Sequence, residues 1–501
     1  MYPIFYPTIE VGRKTPYVSG DRASGKPRVH GVRNPSAEPN TNLLAEIASF
    51  CRDSGMAEST FGRRAVNDGK FVARLRFGGR VTTQTEARIR EFIAQQRRGR
   101  RPALQPVAAS APHAHPAAAP SAPAGGPETN FRFYDNRQKY LLFVSTCGEK
   151  ETVAQRVAME LDHVLPRPPA LRLFDAGVGD GTVLARVMRA MHGKFPTTPF
   201  YIVGKEISLE DVRLTLDKMP DRFFEHPATV LVMTNMYYSE APWLRPNALA
   251  AASGLVWKEV ALQGSTSAEF EAQIVELRPF LSEYWTARIS PTSGNPVYER
   301  PVVLVLYRHD YRFLLEPVIP RQGAVRADFD LVIASQPYRA RAPVEFKASK
   351  VVAPLARALG PGGRLLGIHS YGNDPGLEII QRVWPGENPF EMKRDELLRA
   401  TKKVLGQEAR GFVFKSYSDQ RALFRYHMHT LPSEISSSIG TSTLMAAWNA
   451  AVYVAQIEDH RLETVMSAPA YLDATREVLQ KHGKLWFLNE SYVISRPRYV
   501  R

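Results

Sequence analysis

Short apolar runs alternate with amphipathic segments between residues 171 and 368, and this pattern predicts strands that are separated by helices. The first apolar run is Leu171–Asp175, and after a glycine-rich stretch the apolar side chains recur at helical spacing from Val183 to Met191. Four further apolar runs follow before residue 368. Strands that alternate with helical segments are typical of an α/β protein with a largely parallel sheet.

A second pattern, helical throughout, lies near the amino end. Apolar residues at helical spacing predict several short helices over residues 41–97, which we interpret as a small all-α unit. Short helices, a tight turn and many arginines resemble a repressor-type helix-turn-helix, with residues 68–76 in the place of the recognition helix. That resemblance offers Lys70, Arg74 and Arg76 to DNA. A helical bundle that docks on a protein has the same sequence pattern.

Composition marks the remaining boundaries. Residues 1–40 are rich in Pro, Gly, Ser and Arg without apolar periodicity, and they predict a disordered basic arm. Residues 98–128 predict an extended, disordered Ala/Pro-rich linker. Residues 129–501 form the large α/β domain, in which residues 241–328 are an insertion between two predicted strands. We expect the insertion to shape a substrate pocket or, alternatively, an interaction surface.

Other parts of the large domain predict elements outside the alternating pattern. Residues 129–170 predict either helices that pack on the domain or a segment that covers a bound ligand. Within the insertion, residues 302–307 and 311–315 predict a hairpin. Four segments near the carboxyl end each predict a strand, and some of them would form an antiparallel closing pair: residues 411–416, 423–428, 484–487 and 491–495.

The formal net charge of +15 is unevenly distributed. Residues 1–101 carry 19 Lys or Arg against 9 Asp or Glu, a surplus of 10. A basic segment of this kind favours a polyanionic partner, and the candidate is nucleic acid bound through residues 41–101. A solvated basic surface gives the same composition.

Cysteine content and hydropathy exclude several classes. The two cysteines, Cys51 and Cys147, have no neighbours at metal-ligand spacing, which excludes a disulfide framework and a structural zinc site. The sequence has no run of about 18 apolar residues and therefore predicts no membrane span. Its first residues lack the basic-then-apolar order of a secretory signal. These observations favour a cytoplasmic protein without a membrane partner.

The stretch after the first predicted strand carries the chemistry. Gly177, Gly179 and Gly181 follow Asp175 and precede a helix. Glycine allows the chain to turn sharply and lets a ligand approach the backbone, so this strand, turn and helix predict a nucleotide-binding corner. The G-x-G-x-G spacing differs from the G-x-G-x-x-G of dinucleotide-binding proteins.

This corner and four later segments resemble the class I, or Rossmann-like, S-adenosylmethionine (SAM)-dependent methyltransferases. The segments fall in the order of the second to fifth strands of that family: residues 200–206, 228–235, 329–338 and 359–368. The resemblance implies a mostly parallel seven-stranded sheet with helices on both faces, and SAM as cofactor. It assigns cofactor binding to the following residues: Asp175, Gly177, Gly179, Gly181, Glu206 and Asn235. Glu206 would accept hydrogen bonds from the ribose hydroxyls, and Asn235 would lie beside the adenine.

A four-residue motif bears on the methyl acceptor. Ser335-Gln-Pro-Tyr338 stands where the amino-methylating branch of the family has Asn/Asp-Pro-Pro-Tyr. The resemblance implies that Ser335 and Tyr338 are catalytic, the first by hydrogen-bonding a target amine and the second by stacking on a planar nitrogen group. Gln336 replaces the first proline of the motif, and a strand end followed by a proline turn has the same residues. His369 and Tyr371, just after the fifth predicted strand, are secondary acid/base candidates.

The leading hypothesis is a methyltransferase that moves a methyl group from SAM to an unidentified nitrogen or oxygen acceptor. Two alternatives stay open. One is a DNA-binding regulator whose methyltransferase-like domain senses SAM, and the other is a nucleic-acid methyltransferase guided by the basic amino-terminal unit.

Overall fold

The computed structural model describes residues 38–54, 56, 58–66, 68, 71–76, 81, 83–98, 137–290, 294–430, 432–435 and 438–498. The chain divides into two compact units, residues 1–122 and 123–501. The predicted arm at residues 1–40 and the predicted linker at residues 98–128 lie almost entirely outside the described residues, and so does Lys70.

The first unit is helical in its described part, with α1 (Glu38–Ser54), α2 (Glu58–Val66), α3 (Phe71–Arg76) and α4 (Thr83–Arg98). Apolar side chains from all four helices form one core, in which Ile47, Phe61 and Ile89 are fully buried. The short α3 directs Phe71, Val72 and Leu75 into this core. It presents Arg74 and Arg76 to solvent.

The second unit is built on a ten-stranded sheet with the order β10-β12-β9-β8-β1-β2-β3-β7-β4, in which β11 also pairs with β12. A separate two-stranded sheet consists of β5 and β6. The strands are β1 (Leu171–Asp175), β2 (Phe200–Lys205), β3 (Thr229–Thr234), β4 (Val256–Leu262), β5 (Ala287–Ile289), β6 (Pro296–Tyr298), β7 (Val302–Arg308), β8 (Phe329–Ser335), β9 (Leu359–Ser370), β10 (Val413–Lys415), β11 (Leu423–His427) and β12 (Trp486–Ser495).

Helices connect these strands, and none in the described ranges has the length and apolar character needed to cross a bilayer. They are α5 (Arg137–Thr146), α6 (Glu149–Leu161), α7 (Thr182–Lys194), α8 (Leu209–Leu216), α9 (Met219–Glu225), α10 (Leu249–Ser253), α11 (Ser267–Val275), α12 (Arg278–Tyr284), α13 (Arg312–Leu315), α14 (Val344–Phe346), α15 (Ala353–Arg357), α16 (Pro375–Val383), α17 (Arg394–Leu405), α18 (Asp419–Ala422), α19 (Thr441–Val454), α20 (Asp459–Val465) and α21 (Ala470–His482). A π-helical segment, Lys347–Val352, joins α14 to α15.

Both faces of the central sheet are covered by helices. Alternate residues of a strand point to opposite faces, so Phe174 and Tyr201 belong to one buried cluster whereas Leu173 and Ile202 belong to the other. Helices α15 and α17 pack on the first face, and α6 and α7 pack on the second. The predicted Rossmann-like α/β fold is confirmed.

The sheet is larger than the seven strands predicted, because the insertion adds to it. β7 pairs with β3, and β4 pairs with β7, so both extend the sheet beyond β3. All seven residues of β7 are buried, as expected for a strand covered on both faces rather than for half of an exposed hairpin. The prediction of a second hairpin strand at residues 311–315 is wrong. That segment is helical, and Phe313 within it is 98% exposed.

The carboxyl-terminal strands also differ from the prediction. Residues 484–487 and 491–495 do not form two strands, since both segments fall within or beside the single strand β12, which runs antiparallel to β9, β10 and β11. Asn489, Glu490 and Ser491 interrupt the apolar pattern, yet all three are fully buried. They stay within the strand because each has a polar partner from a distant part of the chain.

Candidate functional site

The chain changes direction across the sheet between β1 and β8. From β1 it continues through β2 and β3 on one side, and it returns to β8 and β9 on the other. These five strands are parallel, so their carboxyl ends meet at one edge, where open α/β sheets bind ligands. Asp175 and Ser335 end β1 and β8, and Glu206 follows β2. The structure therefore brings these predicted site residues to one edge.

The turn after β1 depends on two glycines in the left-handed region. Gly179 has φ 57° and Gly181 has φ 78°. A Cβ on Gly181 would lie 2.8 Å from the Cα of Thr215 in α8, so a side chain here would collide with backbone. Helix α7 begins at the next residue, and its free amide groups and positive dipole end favour an anionic or polar ligand group.

Gly177 has a different environment. A Cβ built on Gly177 meets no atom within 4 Å, and its backbone lies outside the left-handed region. The turn therefore leaves open space in front of Gly177. A bound group can occupy that space without displacing protein atoms.

Asp175 is a buried carboxylate with one unused oxygen. Its residue is 2% exposed. The Oδ1 atom accepts a hydrogen bond from the Gly177 amide at 3.2 Å, whereas Oδ2 has no partner among the described residues. Burial raises the pKa of Asp175 to about 7, against the lowering effect of that amide. A buried oxygen of this kind is costly unless a ligand brings a donor or a positive charge, so Asp175 fits a cationic group.

Glu206 folds back on the glycine turn. Its Oε2 accepts a hydrogen bond from the Gly179 amide at 2.9 Å, and its Oε1 accepts from the amides of Ile207 and Ser208 at 2.8 and 2.9 Å. A carboxylate has about four acceptor positions, so one remains for a donor such as a hydroxyl. Trp285, from the insertion, donates to the Glu206 carbonyl at 3.1 Å. The insertion therefore fixes this loop, a contact that the sequence did not reveal.

Tyr140 on α5 closes over the turn. Its hydroxyl lies 3.3 Å from both the amide nitrogen and the Oδ1 atom of Asp180, and a Cβ on Gly179 would approach that hydroxyl to 3.1 Å. The Lys150 ammonium lies 5.5 Å from the centroid of the Tyr140 ring. The segment ahead of β1 thus contacts the corner directly.

The side chain of Asn235 forms hydrogen bonds with backbone groups of the insertion. Its Nδ2 donates to the Arg300 carbonyl at 2.9 Å, and its Oδ1 accepts from the Val302 amide at 2.8 Å. The side chain is buried, and it fastens the end of β3 to the start of β7. Asn235 therefore has a structural role, and its contact with the cofactor stays a prediction.

The tip of β8 departs from the geometry that the resemblance implies. Gln336 has φ 49°, which proline cannot adopt because its ring fixes φ near about −65°. The carbonyl of Pro337 already accepts a hydrogen bond from the Tyr238 hydroxyl at 2.8 Å. The Asn/Asp-Pro-Pro-Tyr arrangement is therefore absent from this turn. A non-glycine residue in the left-handed region at a ligand-binding edge is typical of a specialised site.

Tyr338 is held differently from its prediction. The residue is buried, its hydroxyl lies 2.6 Å from Nδ1 of His369, and Nζ of Lys347 lies 5.1 Å from its ring centroid. The predicted stacking of Tyr338 on a substrate stays a prediction, and the structure adds a hydroxyl that is anchored by a histidine. The Nε2 atom of His369 lies 2.7 Å from Oε1 of Glu490. Sequence reasoning missed Glu490 because 121 residues separate it from His369.

A small cavity opens beside Tyr338 and His369, with Lys347 and Phe390 also in its wall. Burial lowers the pKa of Lys347 to about 8, and its Nζ donates to the Ala340 carbonyl at 2.6 Å. Lys347 begins the π-helical segment, and such segments occur frequently at functional sites. Nothing in the sequence distinguishes this buried lysine from exposed lysines.

Tyr238 connects the two halves of the site. Its hydroxyl bonds the Pro337 carbonyl at the tip of β8. Burial raises the pKa of Tyr238, and so do the nearby charges of Glu206 and Asp175. Tyr238 thus lies between the glycine corner and the tip of β8. Its position just after the third strand was the signal that could have identified it.

No family model and no curated protein matches the sequence. Solved methyltransferase structures are similar only at low identity. A protein assigned as a sarcosine dimethylglycine methyltransferase from Galdieria sulphuraria is 11% identical over 70% of this chain and 85% of its own, with a TM-score of 0.26. Geranyl diphosphate methyltransferase, solved with GPP and sinefungin, is 12% identical over 70% and 78%, with a TM-score of 0.24. PKMT2 from Rickettsia typhi, solved with AdoHcy, is 10% identical over 70% and 54%, with a TM-score of 0.22. Values this low carry no functional inference, which rests instead on the residues of this chain.

Proposed function

We propose that this chain is a SAM-dependent methyltransferase whose cofactor binds at the corner of β1, the glycine turn and Glu206. The observation that carries the proposal is the buried carboxylate of Asp175, whose Oδ1 binds the Gly177 amide and whose Oδ2 has no partner among the described residues. The amino-acid end of SAM has an ammonium group and its ribose has two hydroxyls. The cofactor therefore offers a cation to Asp175 and a donor to Glu206. Gly179 and Gly181 give the turn its shape.

The cofactor supplies a methyl group that is already activated on a sulfonium, so binding and orientation are the main tasks of the protein. Asp175 and Glu206 hold the two ends of the site, and Tyr140 and Tyr238 cover it. Ser335 lies at the end of β8, where an acceptor can approach the same edge. The altered turn removes the argument for a planar amine, and we propose a nitrogen or oxygen nucleophile as the acceptor.

Substituting Gly177 by leucine tests the location of the site. The new side chain enters space that no protein atom occupies, so we expect the variant to fold and to lose cofactor affinity. Calorimetric titration of the full chain with S-adenosylhomocysteine (SAH) should show micromolar binding for the wild type. The variant should bind more than about 100-fold less tightly, which is about 2.7 kcal/mol.

Gly193 provides the matched control. It lies near the carboxyl end of α7, the helix that follows the glycine turn. A Cβ built on Gly193 also meets no atom within 4 Å. Gly193→Leu should bind SAH like the wild type. A wild-type protein that ignores SAH would refute the proposed function, and a folded Gly177→Leu protein with unchanged affinity would refute this location.

We also propose that the first unit contacts nucleic acid through α3. The side chains of Arg74 and Arg76 are 68% and 57% exposed, and each is paired with a surface carboxylate. Exposed pairs of this kind contribute little free energy, so both guanidinium groups can exchange their partners for phosphates. The basic excess of residues 1–101 supports the same proposal.

Salt dependence tests that second proposal. The affinity of the full chain for a random-sequence DNA duplex should fall steeply with salt, and Arg74→Gln with Arg76→Gln should reduce the log–log slope by about 2. Arg52→Gln, an exposed position in α1, should change the slope less. Equal slopes in all three proteins would argue against α3 as the contact. Tight binding to one DNA sequence, with SAH binding but without methyl transfer, would favour the SAM-sensing regulator.

A further inference from the structure

Three buried side chains form a hydrogen-bonded chain that leads inward from the tip of β8. The Tyr338 hydroxyl lies 2.6 Å from Nδ1 of His369, and Nε2 of His369 lies 2.7 Å from Oε1 of Glu490. The three residues are 7%, 5% and 0% exposed. Their order, a hydroxyl followed by a histidine and a carboxylate, is the order in which enzymes activate a hydroxyl.

Glu490 determines which nitrogen of His369 carries the proton, and hence the direction of the three hydrogen-bonded side chains. Burial opposes its ionisation, but hydrogen bonds and charges from His369 and Arg394 hold the pKa of Glu490 below its ordinary value. Arg394 donates to Glu490 from both its backbone nitrogen and its Nη1, each at 2.9 Å. An ionised carboxylate only accepts, so Nε2 of His369 carries the proton that Glu490 binds. Nδ1 is then the acceptor for the Tyr338 hydroxyl.

The outer end of this chain adjoins the proposed cofactor site. Tyr338 follows Pro337, whose carbonyl binds the Tyr238 hydroxyl, and Tyr238 is close enough to Asp175 and Glu206 for their charges to raise its pKa. Ser335, three residues before Tyr338, ends the strand next to β1. The tip of β8, which carries Tyr338, therefore lies at the same edge of the sheet as the proposed cofactor site.

We propose that Tyr338, His369 and Glu490 form a relay that removes the proton of the methyl acceptor. The inference rests on the proposed function. As the acceptor atom bonds to the methyl carbon and the methyl–sulfur bond breaks, the acceptor's proton passes to the Tyr338 oxygen and the proton of Tyr338 passes to Nδ1 of His369. The sulfonium charge is thereby replaced by an imidazolium charge, which the Glu490 carboxylate stabilises.

Burial raises the pKa of Tyr338, and Tyr492 and Glu490 raise it further, so Tyr338 passes its proton to His369 only as it receives the proton of the acceptor. The Lys347 ammonium lies 5.1 Å from the Tyr338 ring centroid, where a cation is attracted to the face of the ring. The ring of Tyr492 lies 5.9 Å from that of His369. Arg394 neutralises Glu490 from the far side, so the relay ends on a carboxylate that is held in place.

The relay also identifies the class of acceptor. A free amine already has a lone pair and needs no base as its new bond forms. A hydroxyl or a ring N–H becomes a much better nucleophile when its proton leaves, so a built base is useful only for acceptors of this second kind. We infer that the acceptor carries an ionisable proton on its nucleophilic atom.

Proton NMR with two cofactor analogues tests the relay without turnover. The proton on Nε2 of His369, shielded from exchange and bound to a carboxylate, should give a far-downfield resonance that disappears in His369→Gln and persists in His226→Gln. SAH is neutral where the methyl group leaves, whereas sinefungin carries an amine there. Sinefungin should therefore shift the resonance relative to SAH, and the difference should shrink in Tyr338→Phe, which cannot pass the polarisation on.

The outcomes separate the relay from the cofactor site. If calorimetry shows that neither analogue binds, the proposed function fails and the relay fails with it. If both bind and the resonance has the same position with each, the relay alone is refuted. A shift that is unchanged in Tyr338→Phe, or the absence of the resonance, would also overturn it.

Discussion

Asp175→Asn is expected to make the protein more stable above pH 7 while it weakens SAH binding. The carboxyl of Asp175 has a pKa of about 7 in the fold, against 3.8 for the ordinary group. The unfolded chain releases this proton at lower pH than the folded chain does. Stability is therefore lost between about pH 4 and pH 7, and the penalty above pH 7 is at most about 4 kcal/mol. Asparagine removes that penalty.

The affinity of Asp175→Asn for SAH should fall, although its stability rises. At pH 8 the ionised Asp175 would face the ammonium of SAH, and loss of this buried partner should weaken binding by at least about 30-fold, about 2 kcal/mol. At pH 6 the difference should shrink, because the wild-type carboxyl then holds its own proton. Urea denaturation at pH 4 and pH 8, with calorimetry at pH 6 and pH 8, measures both effects.

Asp330 provides the control for this prediction. It is also buried in the sheet, but its oxygens accept hydrogen bonds from Arg167 and from the Arg172 amide, at the amino ends of the strands. Asp330→Asn should destabilise the fold and leave SAH affinity unchanged. If Asp175→Asn binds SAH as tightly as the wild type at pH 8, this carboxylate does not hold the cofactor's cation.

Glu160→Gln should cause one of the largest stability losses in the chain. Glu160 is 1% exposed and lies between two buried arginines. Its Oε1 accepts from Arg156 at 2.8 Å, and its Oε2 accepts from Nε and Nη2 of Arg364 at 2.8 and 2.6 Å. Removing the charge leaves two guanidinium groups without a carboxylate in the interior, at a cost of about 3–5 kcal/mol.

The stability difference between the wild type and Glu160→Gln should depend on pH in a direction that follows from the pKa of Glu160. Burial opposes ionisation of Glu160, but both arginines hold its pKa below the ordinary value. Its stabilising contribution is therefore present above about pH 4.5 and is lost as pH falls through the folded pKa, so the two proteins should converge in acid. Glu408→Gln removes the partner of Arg357 at the surface, and it should cost less than about 1 kcal/mol. Equal losses in the two variants at pH 7 would contradict the interpretation.

The alternating pattern was sufficient for the centre of the sheet because its first three strands consist mainly of apolar residues. β1, β2 and β3 are buried almost throughout, and strands covered on both faces read this way in sequence. The glycine-rich turn predicted the corner around Asp175 and the three glycines, and the resemblance assigned Glu206 to it. The structure brings them to one edge because the carboxyl ends of parallel strands meet there. The glycine turn is a local feature, so its residues are adjacent in the chain as well as in the fold.

The features that were missed depend on contacts between distant residues. Glu490 lies in a polar interruption of β12, and only its pairing with His369 and Arg394 makes that interruption part of a strand. The side chain of Asn235 forms hydrogen bonds with Arg300 and Val302, which lie 65 and 67 residues further along the chain. No local pattern encodes such pairings.

The most direct test of the cofactor site is hydrogen–deuterium exchange of the full chain with and without SAH. We expect SAH to slow exchange at the amides of residues 175–182 and 204–208, which form the glycine turn and the loop after β2. Exchange at residues 224–228, before the start of β3 and at the opposite edge of the sheet, should not change. Protection confined to other segments, or no protection anywhere, would contradict a cofactor site at this corner.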